Sequence, residues 1–256
     1  MCGRYAARRP PEEVADWFGA SLPWDSVDAA NDAGETGHAG DPPAGAGRST
    51  VPVPEEALLS PQAGIAPTDT VFVVVADEAG LRRLLPAQWG LVPFWAKDRS
   101  IASATFNARV ETAAQKPAFR DAMQRRRCLL PAEAFYEWSG PKGARRPWLI
   151  RPSSTPFLAF GGLFEHWRDP AGGVLHSCTI LTTPAAPDVE QLHDRAPLLI
   201  DRAEWDRWLD PSGGADTVMD LLRPAPAGSL ELTPLTPSTG PAARPAPVEQ
   251  PALFTI

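Results

Sequence analysis

The chain has 256 residues, with 24 Lys and Arg against 31 Asp and Glu and a formal charge of −7, which excludes a generally basic nucleic-acid coat. Apolar residues make up 43%, enough for a sizeable core, while 30 Pro and 20 Gly exceed average usage and predict long loops or a tail. The three cysteines, Cys2, Cys128 and Cys178, cannot all pair and fit neither a disulfide scaffold nor a zinc motif; with no apolar run long enough to cross a bilayer, a reduced cytoplasmic setting is expected.

In chain order, Pro10 and Pro11 followed by Glu12 and Glu13 predict a helix running to Phe18, with proline and acidic side chains in its first turn. Residues 2–9 are then a short extended arm. Residues 29–64, rich in Gly, Ala, Pro and Asp without periodicity, read as a flexible insertion. VFVVVA at 71–76 predicts a strand, and part of AQWGLVPFW at 87–95 a second, with Trp89, Leu91 and Phe94 sharing an apolar surface. The chain has helical character from Pro117 onward, with Phe119, Ala122 and Met123 on its buried side. Arg125, Arg126 and Arg127 then form a positive cluster before a buried strand at Cys128, Leu129 and Leu130. Further strands are predicted at 147–152, 156–167 and 175–183, with turns at Gly143 and at Gly172 and Gly173. A short helix at 188–193 precedes a better amphipathic one at 201–210, where Trp205, Trp208 and Leu209 share a side. The last thirty residues read as a weakly structured, Pro-rich tail. Many short strands with few helices argue for an α+β domain. Neither GxGxxG nor GxxxxGK[ST] occurs, so dinucleotide and P-loop classes lack support.

The reactive residues leave several readings open. Release of Met1 would give Cys2 a free α-amine beside its thiol, groups with reference pKa values of about 8 and 8.5. An aldehyde can form an imine with such an amine, and the thiol can close a thiazolidine ring; an N-terminal cysteine is more commonly just a terminus. Asn107 in TFNARVET could orient an amine or carbonyl, or simply close a turn. Glu137 in FYEW could relay protons if the surrounding aromatics raise its pKa, or be a solvent-facing carboxylate. His193 suits acid–base work near pH 7, or caps carbonyls at a helix end. The histidines show no metal-binding spacing, and Cys128 and Cys178 lie in apolar runs that suit packed thiols. Arg4, Arg8, Arg9 and Arg109 offer local charge for phosphates, and Trp89, Pro93, Phe94 and Trp95 could stack on or wedge against bases; the same residues could equally be core and solvated surface.

Taken in order, MCGRY (1–5), IAPT (65–68), QWGLVPFWAKD (88–98), FNARVET (106–112), RRCLLPAEAFYEW (126–138), GGLFEHW (161–167), CTILTTPA (178–185) and LHDRAP (192–197) resemble the SRAP family, the SOS response-associated peptidase proteins that protect abasic sites in single-stranded DNA. The resemblance implies one α+β SRAP domain over 1–235, with a β-rich, barrel-like core and peripheral helices, followed by the tail at 236–256. It places the nucleophile on Cys2 and the other catalytic roles on Asn107, Glu137 and His193. Arg4 and Arg109 become DNA contacts, together with an aromatic surface at Trp89, Pro93 and Phe94. Implied with these are a covalent thiazolidine link between Cys2 and abasic sites in single-stranded DNA, and autopeptidase and lyase activity. No metal or cofactor is implied. The expected protein is a monomer, nucleoid-associated in a bacterium and present at replication forks. A non-covalent single-stranded DNA-binding module and a thiol peptidase remain the alternatives. LHDRAP departs from the family pattern in carrying Ala196 where methionine is common.

Overall fold

The computed structural model describes residues 2–22, 64–170 and 172–236. Apart from Gly64 and Thr236, the expected insertion at 29–64 and tail at 236–256 lie outside those residues. In chain order the elements are β1 (Tyr5–Ala6), α1 (Pro11–Phe18), β2 (Thr70–Ala76), β3 (Arg82–Trp89), β4 (Asn107–Arg109), α2 (Val110–Ala113), α3 (Arg120–Arg125), β5 (Arg127–Ala132), β6 (Ala134–Ser139), β7 (Arg146–Pro152), β8 (Leu158–Arg168), β9 (Val174–Pro184), β10 (Arg195–Pro197), α4 (Trp205–Leu209) and β11 (Leu230–Pro234).

Strands β9, β3, β2, β5 and β8 pair in that order, and β8 pairs again with β9 to close a barrel. This is the expected α+β class, with the helices outside. Alternation along the strands explains both faces. Val71, Val73 and Val75 pack inside with Ala87, Trp89, Leu130 and Ile180. Val74, Leu84 and Leu129 instead join the layer under the helices. With both faces covered, β2 needs the nearly continuous apolar run that VFVVV supplies. Inside the barrel β8 carries Gly162, where a Cβ would fall 2.3 Å from Leu130 Cδ1 and 2.7 Å from Thr179 O. Only glycine fits so close an approach.

A second sheet runs β1–β6–β7–β11. The end of the described chain is therefore not all irregular: β11 pairs along the whole of Trp148–Pro152, using an edge of β7 that would otherwise be left open. On the other side of the molecule α1 ends at Gly19, whose φ of 61° forms the left-handed cap, and Phe18 stacks on Trp205 with centroids 4.5 Å apart. Trp205, Trp208 and Leu209 are all buried, as the amphipathic pattern predicts.

Two other expectations change. Strand β3 begins at Arg82 rather than near Ala87; β9 pairs with it only at Gln88 and Trp89, so Pro86, lacking an N–H, removes no ladder bond on that side. The Arg125–Arg127 stretch does not form one positive cluster. Arg127 is buried, and its guanidinium donates to the carbonyls of Trp208, Met123, Gln124, Asp210 and Gly213 at 2.6–3.0 Å, gathering the end of α3 and the chain after α4. Arg126 pairs with the buried Glu165 at 2.8 Å, leaving only Arg125 of the three exposed.

Candidate active site

Pairing of β1 with β6 fixes the N-terminal arm. Tyr5 lies opposite Phe135 and Ala6 opposite Ala134, and the Tyr136 N–H donates to Arg4 O at 3.0 Å. Continued in the same antiparallel sense, this register carries Gly3 and Cys2 alongside Glu137 and Trp138. Phe135 packs inside the barrel, so alternation sends Glu137, two residues on, to the same side. Beneath the arm the Tyr5 ring meets Trp89 edge-on at 5.2 Å and Phe160 at 5.7 Å, an apolar floor for the residues above.

Cys2 is fully buried, its Sγ 3.8 Å from Arg4 O. Burial, reinforced by the negative charge of Glu137, pushes its thiol pKa far above the ordinary range. Asn107 arrives from a distant part of the chain because β4 runs parallel to β9, with Asn107 opposite Ile180. Its Nδ2 donates to Cys2 O at 2.7 Å, while its Oδ1 is buried without a hydrogen-bond partner. Glu137 is also buried, and desolvation pushes its pKa up to about 7 against the pull of the N-terminal ammonium and Arg145; Asp194 adds to the rise.

His193 closes the site from the other side. It ends a stretch predicted as a helix at 188–193 that instead forms successive turns, with the Val189 N–H bonding Ala186 O and the Leu192 N–H bonding Val189 O. Asp188 anchors the stretch by accepting the Gly228 N–H at 2.9 Å. The His193 Nδ1 accepts the Arg195 backbone N–H at 2.9 Å and lies 2.8 Å from Asp194 Oδ1. Burial lowers the His193 pKa, helped by the positive N-terminus and opposed by Asp194. The lowered pKa favours the neutral ring at pH 7, and acceptance of the Arg195 N–H at Nδ1 assigns its proton to Nε2. Replacing Asp194 with Asn is expected to lower the His193 pKa further, read from the pH titration of its ring-proton NMR shifts. A midpoint that stays put or rises would remove Asp194 from this electrostatic account.

Arg4, Glu137, Arg145 and His193 line a cleft of about 650 Å³ together with Gly3, the neighbour of the fully buried Cys2. Arg4 also holds Gly64 O at 3.1 Å. The structure therefore gathers Cys2, Asn107, Glu137, His193 and Arg4 in one region and leaves Arg109 exposed on β4. The aromatic surface is corrected. Trp89 is fully buried with its indole N–H on Phe106 O at 2.7 Å, and Pro93 is buried as well. Phe94 and Trp95 are the outward pair, 57% and 49% exposed, so Phe94 does not share the Trp89–Leu91 surface.

Sequence reasoning did not single out Asp194, Arg145 or the Glu111–Arg195 pair. Arg195 is buried, forks onto Glu111 and donates to Thr182 O, tying the segment after Asn107 to the segment after His193. The signal was present, since Glu111 lies inside FNARVET and Arg195 inside LHDRAP. Among the described residues, no three His, Cys, Asp or Glu side chains gather as a metal-binding group, and no helix is long and apolar enough to cross a membrane.

The model of the SOS response associated peptidase family, SRAP, matches residues 1–240. The chain belongs to the SRAP family. Among SRAP relatives, the abasic site processing protein YoqW of Bacillus subtilis is 37% identical over 179 residues, covering 69% of this chain and 79% of its own. The abasic site processing protein HMCES of Gallus gallus is 31% identical over 172 residues, 56% of this chain and 50% of its own. A crystal structure of a Bacteroides thetaiotaomicron protein superposes with a TM-score of 0.71 at 19% identity, covering 92% of each chain. One from Bordetella bronchiseptica superposes with a TM-score of 0.68 at 23% identity, over 92% of this chain and all of that one. These two likenesses establish a shared fold.

Proposed function

We propose that this protein processes abasic sites in DNA, as the names of its relatives describe, by forming a covalent thiazolidine crosslink between Cys2 and the lesion in single-stranded DNA. The observation that carries the reading is the bond from Asn107 Nδ2 to Cys2 O, which holds the N-terminal residue beside Glu137 and next to the His193 cleft.

Release of Met1 converts the Cys2 nitrogen into an amine. That amine attacks the C1′ aldehyde of the ring-opened deoxyribose; the carbinolamine loses water, and an imine results. The Sγ then adds to the imine carbon, its proton leaves to a base, and the nitrogen takes up a proton. The ring so formed contains N, Cα, Cβ, Sγ and C1′. Net change is protein plus DNA minus one water.

Each neighbour has a part matched to its surroundings. The unpartnered Asn107 Oδ1 is an acceptor for the amine or the carbinolamine hydroxyl. The neutral His193 donates from Nε2 to the departing hydroxyl, and Glu137, titrating near neutrality, accepts the thiol proton. Arg4 and Arg109 hold phosphates so that C1′ stays beside Cys2, and proximity supplies much of the rate. The imine also opens a lyase route by β-elimination, which ring closure suppresses. Autopeptidase release of Met1 is the minimal peptide-bond chemistry this arrangement would perform.

The test is intact mass under denaturing conditions after incubation with a single strand carrying one abasic site. An adduct equal to Met1-free protein plus DNA minus water, absent with the undamaged strand, is the expected result. Folded, Met1-free protein that gives no such species would overturn the reading in favour of reversible binding.

A further inference from the structure

The hairpin joining β6 to β7 belongs to the wall of the cleft, yet none of the roles above uses it. Its last paired residues are Ser139 and Arg146, and residues 140–145 form the tip. It is braced rather than loose: Glu137 lies opposite Trp148, whose indole N–H donates to Ser139 Oγ at 2.8 Å. Gly140 and Gly143, with φ of 94° and 95°, provide the two left-handed positions that turn the chain. On this tip and at the first residue of β7, Lys142, Arg145 and Arg146 are all exposed, and none enters an ion pair among the described residues. That sets them apart from Arg82, Arg126, Arg195 and Arg207, each of which has a carboxylate partner. Three cations on one short arm, with only the buried Glu137 acting on Arg145, repel each other unless an anion is brought to them. Arg145 also lines the cleft beside Glu137 and His193, so the arm begins at the reacting centre and points away from it.

We infer that the β6–β7 hairpin is a phosphate-binding arm, on which Lys142, Arg145 and Arg146 hold the backbone of the DNA strand that enters the cleft. This deepens the function proposed above and rests on its reading that the cleft takes single-stranded DNA. The arm makes no base contact and carries no sequence preference; it adds counterion release and fixes the path of the strand on the β6 side of Cys2.

The experiment measures binding of a fluorescein-labelled, undamaged single strand by anisotropy over a salt series, with all proteins carrying Cys2→Ala so that no covalent trapping intervenes. The test protein carries Lys142→Gln, Arg145→Gln and Arg146→Gln. Its comparator carries Lys116→Gln, Arg120→Gln and Arg125→Gln, the same charge change on the exposed face of the α2–α3 segment. Each phosphate on a single strand contributes about 0.7 to the slope of log K against log salt, so losing the arm lowers the slope by roughly 2 and the affinity at low salt by about tenfold or more. The comparator keeps its slope. An unchanged slope in the hairpin protein, with folding verified by its thermal melt, overturns the inference. So does an equal fall in both proteins, because net charge alone would then account for it. The abasic-site adduct is read in parallel with Cys2 intact. An adduct without a hairpin effect removes only the arm, whereas a hairpin effect without an adduct removes only the crosslinking reading.

Discussion

With Cys2 replaced by alanine and Met1 removed, an abasic single strand is expected to leave no adduct that survives denaturation. The reason lies in what alanine keeps. Its α-amine still attacks C1′, so an imine still forms, and borohydride reduction traps it as a stable amine. What is lost is the thiol, held by covalent geometry two bonds from the amine-bearing carbon. An intramolecular nucleophile so placed acts at an effective concentration on the order of 10⁵ M, so millimolar external thiol does not restore the ring. The remaining thiols are no substitute: Cys128 and Cys178 are buried in the barrel wall, and burial drives both pKa values far up. The uncaptured imine instead proceeds to β-elimination, and the alanine protein is expected to cut the strand at the lesion where the native protein protects it. Gel analysis of the strand with and without borohydride separates the two fates. An alanine protein that forms a heat-stable adduct without reduction would place the nucleophile elsewhere and remove the thiazolidine from the account.

Much of this site is legible in the sequence because its chemistry is local to short strings. An amine and a thiol on one residue need no fold to be recognised, and the FNAR, FYEW and LHDR strings carry Asn107, Glu137 and His193 intact. The errors concern which way a side chain faces. Trp89 and Phe94 are both aromatics in one apolar run, and only closure of the barrel decides that Trp89 is floor beneath Cys2 while Phe94 is surface. Likewise three consecutive arginines read as one positive cluster until α4 and residues 210–213 present carbonyls to Arg127. Strand β11 is hidden for a related reason: LELTP is short and lies among prolines, and its pairing is dictated by the open edge of β7 rather than by its own pattern. The Glu111–Arg195 fork joins residues from two motifs, and neither string alone reveals it.

Replacing Glu137 with Gln is expected to change both stability and rate, with different pH signatures. Burial raises the Glu137 pKa from its ordinary value of 4.5 to about 7, so between those values the folded protein binds a proton that the unfolded chain has released. Stability therefore falls as pH rises through this window and is level above it. Gln cannot ionise, so the variant escapes that loss. The two proteins are expected to match near pH 4 and to differ by roughly 3 kcal/mol in the variant's favour at pH 8, at ~1.4 kcal/mol per unit, read from denaturant midpoints. Crosslinking moves the other way. The buried Cys2 thiol holds its proton at neutral pH, and ring closure needs a base beside it; the ionised Glu137 is the group whose charge the thiol feels. The native rate is expected to rise through about pH 7 as Glu137 ionises, and the variant to lose that rise and run at about a hundredfold lower rate. Two proteins with parallel rate profiles would show that the thiol proton leaves by another route. A variant that is slower yet no more stable at pH 8 would show that Glu137 is ionised in the resting fold, paired with the N-terminal ammonium rather than held neutral by burial.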